Sequence, residues 1–496
     1  MNVSPNNSGT IEVDGVAPVL YPWEDTFLSD TTVTLEAIPG TGYAFSNWSG
    51  SVWSGTPNPF DLLLNCSKSI TAVFTPQPVE IYKVYYPHIA SVGVWETEIC
   101  ILNTSGTQTV SGAFKAYTDT GEAASEDIEV TLSPNGRREI TVGDEFTDPA
   151  SIGYIIFISD SDTVTGYMKF YREGFYRVAI PAVSETEINT GDIYITHIAS
   201  ILERGWGTGL SLLNTTSSAK SLTIEFDNGQ SKTVDLSANE HKAFLIRTLF
   251  EGQYQPDIQS GVIRDANGVV GLEIFTNEPS KQMSGILLKD TTTTTMYYPH
   301  NGIEDGLGTG IVAYNPSDAD CNITVTPYAE TGTALTPAID TIGGKEHYIG
   351  LIGREILLPE GTAWVMIEAE SPITGFELFA GPKMLAGYTG VGITGKKGIF
   401  AKIDQDGWTD IFFVNTEGAT AMVTLKAYNA GGTVIATESI TLNAHEKIAG
   451  TPESIFTGDI SNATYITYSS TREIAGFQFN ESSDGMMLDA LPGLVY

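Results

Sequence analysis

Two anchors recur along this chain with a single period, and that repetition restricts the fold more than any other feature. A Thr stands six residues before an Asn four times: Thr97 and Asn103, Thr208 and Asn214, Thr309 and Asn315, Thr409 and Asn415. The asparagines lie 111, 101 and 100 residues apart. A glycine late in each unit keeps the same beat, at Gly166, Gly271, Gly375 and Gly476, with intervals of 105, 104 and 101. Each unit opens on a strand-like run: YYPHIAS, YITHIAS, MYYPHNG and IFAKIDQ. The boundaries drawn from these anchors are 82–187, 188–292, 293–395 and 396–496, after a separate module at 1–75 and a linker at 76–81.

The units read as β structure. β-branched and aromatic runs are broken by Gly, Asn and Asp turns, and long stretches of helix formers are missing. In the second unit the opening strand is followed by runs at 210–214, 222–226, 232–236, 242–247, 261–264, 271–275 and 283–288. Asp227-Asn228-Gly229 supplies a hairpin turn that needs positive φ. Seven or eight short strands in about 100 residues fit an immunoglobulin-like sandwich. The segments VTLSPNGRREITV and VDLSANEHKAFLI place a kink between two alternating runs, as where a chain crosses between the sheets of a sandwich. Each unit also divides into halves of four strands, so the alternative is an eight-bladed β-propeller. The expected class is all-β, with four tandem sandwiches behind a small N-terminal β domain.

That N-terminal domain alternates at Thr32–Ala37, turns at Pro39-Gly40-Thr41-Gly42, and continues through Tyr43, Phe45 and Trp48 to Gly50. A last period-two strand is Ile70–Phe74. The order resembles the divergent internalin-type B-repeat family. The matching positions are Val33, Thr34, Leu35, Pro39, Gly42, Tyr43, Phe45, Trp48, Gly50, Lys68, Thr71, Ala72 and Phe74, with Ile70 in place of Val and Asn47 in place of Gly. The resemblance implies a bacterial surface protein and no catalysis. Pro76-Gln77-Pro78 reads as a short stiff linker. The four units resemble ~100-residue repeats of large secreted proteins of environmental bacteria, which implies export and supplies no active site.

Charge excludes some functions. Asp and Glu number 60 against 25 Lys and Arg, a net charge of -35. Such a field repels nucleic-acid phosphates and anionic lipid heads. No apolar run reaches the roughly 18 residues of a membrane span, so membrane insertion is not expected. No signal peptide or anchor is visible; the expectation is a secreted or surface protein whose export signal has been removed. Cys66, Cys100 and Cys321 are too scattered for a disulfide framework or a zinc site.

No catalytic motif stands out, and the chain is read as no enzyme. The candidate ligand-binding residues come in repeated sets. His88, His197 and His300 share one position in the opening strand, with Lys402 in the fourth unit. No acid or Cys follows them at a shared spacing, as a repeated metal site would need. His241, His347 and His445 fall in the kinked segment, with Arg137 or Arg138 in the first unit. Trp95, Trp206 and Trp408 precede the Asn-terminated strand, with Leu307 in the third unit; exposed, they could stack on sugar rings. Asp404, Asp406 and Asp410 form the best calcium-like cluster, although the bidentate Glu of an EF-hand is absent. No other cofactor is expected. The leading functional expectation is a structural or adhesive protein, a rod of tandem domains that self-associates or binds surface glycan. A carbohydrate-binding array, or a propeller with a ligand on its axis, is the alternative.

Overall fold

A computed structural model describes all residues except 41, 51–53, 78, 79 and 406. Thr41 of the expected turn, Pro78 of the expected linker and Asp406 of the calcium-like cluster therefore lie outside the described residues. The chain forms two compact units, Met1–Ile81 and Tyr82–Tyr496. Among the described residues no helix is long and apolar enough to cross a membrane.

The first unit is two three-stranded sheets. Tyr43–Gly50 and Asn2–Ser4 flank Ile70–Pro76, while Gly9–Val13 and Phe60–Leu64 flank Thr31–Pro39. The alternation in Thr31–Pro39 buries Val33, Leu35 and Ala37 on one face, as period two requires. Trp48 is fully buried against Phe45 and Phe60, and its indole N–H donates to the Pro57 carbonyl at 2.9 Å. Three strands, Asn2–Ser4, Gly9–Val13 and Phe60–Leu64, escaped the sequence reading. Asn2–Ser4 and Gly9–Val13 are short, and Phe60–Leu64 sits in what reads as a variable loop.

The second unit consists of β-sandwiches. In the first repeat one sheet holds Ile128–Leu132, Val110–Tyr117, Tyr154–Ser159 and Tyr82–Tyr86 in that order, with Val183–Ser184 added at the edge. The other holds Arg137–Thr141, Glu96–Asn103, Val164–Arg172 and Tyr176–Pro181. Counted along the chain, the sheets are 4-3-6-1 and 5-2-7-8. This interleaving decides against a propeller, because a blade would take four consecutive strands from one half-repeat. Here each sheet draws on both halves. The kink expected at the crossing is the turn between Leu132 and Arg137, which moves the chain from one sheet to the other. In the third and fourth repeats strands 6 and 7 fuse into single long strands, Trp364–Ala380 and Tyr465–Ser482, that serve both sheets.

The repeat anchors are structural staples. The side-chain amide of each Asn donates to two backbone carbonyls: Asn103 to Gln108 and Ser133, Asn214 to Ser218 and Ser237, Asn415 to Ala419 and Asn443. Asn315 does the same toward Ala319 and Gly343. Each Thr hydroxyl accepts one backbone N–H at 2.8 Å, from Ala90, Ala199, Gly302 or Asp404. Those four residues each lie two positions after His88, His197, His300 or Lys402. One Thr thus pins the end of the opening strand in every repeat, and a buried polar group finds its partner.

The four sandwiches close on themselves. Leu213, Val270, Leu272 and Leu287 of the second repeat enter the core of the first. Phe275 and Ile286 pack on Val312, Phe376 and Leu385 of the third. Phe379 and Tyr388 pack on Phe412 and Phe477 of the fourth. Ile399, Ala401, Tyr465 and Leu491 then return to Cys100, Leu102, Tyr167 and Ala179 of the first. The eighth strands meet at the middle: Tyr176–Pro181 and Leu385–Tyr388 each pack on both Gln282–Leu288 and Leu488–Pro492. The rod expected of tandem domains does not form, because the surfaces that would continue it are occupied by each other.

Candidate functional site: repeat junctions and an axial cavity

The opening-strand residue of each repeat meets the kinked segment of the next. His88 Nδ1 lies 3.3 Å from His241 Nε2, the rings of His197 and His347 are 5.9 Å apart, and Lys447 Nζ lies 2.7 Å from His300 Nδ1. At the fourth junction Lys402 reaches Glu98 and Glu139, beside Arg137. The kinked-segment set is therefore Arg137, His241, His347 and Lys447. His445 does not belong to it: with φ of 60° it occupies the left-handed turn position of Asn135, Asn239 and Lys345. The histidine at 445, expected in this set, stands two residues before the structural position, which Lys447 occupies.

Electrostatics differ among the junctions. Burial, with His241 adding to it, pushes the His88 imidazole down to about 3. Burial likewise lowers His197 and His300 to about 4 and Lys447 to about 8. At the fourth junction burial works against the charge on Glu98, but Lys169 and Lys402 outweigh it and hold the carboxyl well below its ordinary range. Arg177 pairs with Asp404 and, at 2.9 Å, with Asp489. Tyr167 donates to both Glu98 and Glu139. Three junctions thus place an opening-strand imidazole whose burial disfavours its charged form, and the fourth is built on buried charges balanced by partners.

One junction has the outline of a nucleophilic triad. Asp119 Oδ1 is 2.7 Å from His241 Nδ1, and His241 Nε2 is 2.8 Å from Ser211 Oγ. Ser211 is 1% exposed. A hydroxyl sealed this far inside cannot meet a substrate carbonyl, so the row acts as a polar tie between repeats one and two.

A cavity of about 580 Å³ opens where the eighth strands end. All four repeats line it, with Pro181 and Ala182, Leu287 and Leu288, Thr389, and Pro492 and Gly493 at corresponding places. Its lining includes the apolar side chains of Ile286, Leu287, Leu288, Val391 and Leu494. Thr165, Thr196, Thr374 and Thr389 line its wall, and Lys289, Glu187 and Tyr194 bring polar groups to it. The size falls within the ~300–1,000 Å³ of small-ligand sites, and apolar walls with a few polar groups are their usual make-up. Sequence reasoning missed this site, since no single repeat contains it. The one legible signal was the threonine run after Lys289, which reads as a polar connector.

The expected site residues are not gathered there. Trp95 is half-buried and stacks on Tyr176 with centroids 5.6 Å apart, and Trp206 packs beside the junction of repeats two and three. Trp408 alone of the three is exposed, at 53%. His88, His197 and His300 sit at junctions, in three separate places. Asp404 is engaged by Arg177, while burial, reinforced by Asp305, raises the Asp410 carboxyl. Among the described residues no group of three His, Cys, Asp or Glu side chains is placed to hold a metal.

Comparison with known proteins adds one assignment. Residues 2–78 match the divergent InlB B-repeat domain family. The B-repeat module is thus the two-sheet unit described above, with Trp48 and Phe74 in its core. No curated protein matches the chain. Among solved structures, the Bacteroides ovatus mixed-linkage glucan utilization locus SGBP-B, in complex with a mixed-linkage heptasaccharide, aligns over 75% of this chain and 94% of its own at 10% identity and a TM-score of 0.12. A tetra-tandem repeat from the extending region of a large adhesion protein aligns over 79% and 93%, at 10% identity and a TM-score of 0.11. Likenesses this slight carry no argument.

Proposed function

We propose that this chain is a non-catalytic adhesive protein of a bacterial surface, and that its four sandwiches act as one binding head with the axial cavity as ligand site. The B-repeat module supports the surface placement. The observation that carries the binding role is the cavity itself, which exists only because four repeats converge on it. An array of independent binding modules would carry one site per repeat, whereas here Trp95 and Trp206 are packed and only Trp408 is exposed. The four domains at 82–187, 188–292, 293–395 and 396–496 act as quarters of one head.

The test is a binding screen of the full chain against a panel of bacterial and plant glycans. Two plugged variants, Thr374→Trp and Thr165→Trp, enter the cavity from different repeats, and circular dichroism with thermal melting checks their folding. A ligand retained by wild type and lost in both folded variants supports the reading. Binding that survives both plugs, or no glycan binding at all, overturns it.

A further inference from the structure

Lys289 gives the cavity a chemical preference. The chain is strongly acidic, with 60 acidic residues against 25 Lys and Arg, yet this half-buried lysine is the cation that lines the cavity. Its ammonium makes no hydrogen bond or close ion pair with any described residue; Glu187 and Asp290 act on it only through space. Both acids have other donors. Glu187 accepts the backbone N–H and the hydroxyl of Ser184, at 3.0 and 2.9 Å. Asp290 accepts the N–H groups of Thr190 and Gly191, at 2.7 and 3.0 Å. A three-donor cation held in a partly apolar cleft with no hydrogen bond to a described residue is suited to an anion.

The threonines fix the rest of the ligand. The hydroxyls of Thr165, Thr196, Thr374 and Thr389 make no hydrogen bonds to other described residues. Each can donate one and accept two, which matches a molecule that is itself hydroxylated. The apolar strip of Ile286, Leu288, Val391 and Leu494 offers a surface for the C–H face of a sugar ring. Oxygen-only ligands of a phosphate kind would leave this strip uncovered.

We infer that the axial cavity binds an acidic sugar, a uronic acid of one or two residues, with its carboxylate on Lys289 and its hydroxyls on Thr165, Thr196, Thr374 and Thr389. This inference rests on the binding-head reading above. The carboxylate takes the three ammonium donors, while the carboxylate of Glu187 accepts from a ligand hydroxyl.

The experiment is isothermal titration calorimetry of the full chain with digalacturonic acid and with neutral digalactose of the same linkage. Wild type is expected to favour the acid by about tenfold or more, the range of one charge-assisted hydrogen bond. Lys289→Met removes that preference, and Lys289→Arg retains it. Equal affinity for the two sugars, an unchanged preference in Lys289→Met, or no binding of either sugar overturns the inference. The cavity itself fails separately: acid binding that persists in Thr374→Trp removes the axial site, whatever Lys289 does.

Discussion

Lys402 of the fourth repeat donates to both carboxylate oxygens of Glu98 of the first, at 2.8 and 2.9 Å. The side chains are 10% and 12% exposed, and 304 residues of chain separate them. This pair stands where the other three junctions use imidazoles, and it closes the circle.

Removing one partner of a buried pair costs more than the pair contributes, because the other charge is left behind. Lys402→Met leaves Glu98 with Lys169 as its one close cation and the Tyr167 hydroxyl as a donor. The expected loss is about 3 kcal/mol in urea unfolding, with earlier proteolysis of repeat four than of repeat two. An unchanged midpoint would show that the fourth junction contributes little and that the circle is held by its apolar contacts.

Stability should depend on pH through two opposed sets of groups. His88, His197 and His300 have folded values of about 3, 4 and 4, below the ~6.5 of an unfolded imidazole. Their contribution is whole above pH ~6.5 and is lost as pH falls toward the folded values, at about 1.4 kcal/mol per unit for each ring. Glu273 and Glu377 act the other way. Burial pushes both well above the ordinary carboxyl range, and neither carboxyl hydrogen-bonds to any described residue. Their contribution is whole below pH ~4.5 and is lost as pH rises. The fourth repeat has Gln478 at this position, and its amide donates to the Lys402 carbonyl at 2.6 Å. Glu377→Gln should therefore raise stability by about 2 kcal/mol at pH 8 and hardly at all at pH 4.5. Thermal melts of the variant at the two pH values check this, and an equal effect at both would refute it.

The four anchor glycines should not tolerate alanine equally. A Cβ on Gly166 or Gly375 would stand 1.9 or 2.0 Å from the carbonyl oxygen of Cys100 or Val312. Those same carbonyls accept the Tyr86 and Tyr298 hydroxyls at 2.8 Å. At Gly271 the nearest atoms are flexible leucine side chains at 3.1 Å, and Ile195 stands in place of the tyrosine. Gly375→Ala should cost about 3 kcal/mol or more and Gly271→Ala about 1 kcal/mol. Comparison of their denaturation midpoints decides it; similar losses would mean the tyrosine bond is not what the glycine serves.

Much of the fold was legible. In the second repeat, strands at Lys220–Phe226, Ser231–Leu236 and Gly261–Arg264 fall where alternation and turn residues place them, because period two is written in consecutive side chains. The anchors Thr309 and Asn315 were legible as a pattern, but not as staples, since their partners lie at Gly302, Ala319 and Gly343. The junction residues were half legible: His300 follows from the repeat, whereas Lys447 is masked by His445, a histidine two residues away in the turn.

The sequence by itself determined the β class, the repeat period, the strand positions of the second repeat and the N-terminal module, for these depend on local periodicity and on short hydrogen bonds inside one repeat. Tertiary structure decided that the strands interleave into sandwiches, that the fourth repeat packs on the first, and that a cavity with Lys289 lies between them. Those choices rest on side chains as far apart as Glu98 and Lys402. Their attraction depends on burial in a shared interior, which no stretch of sequence specifies until the chain has closed around it.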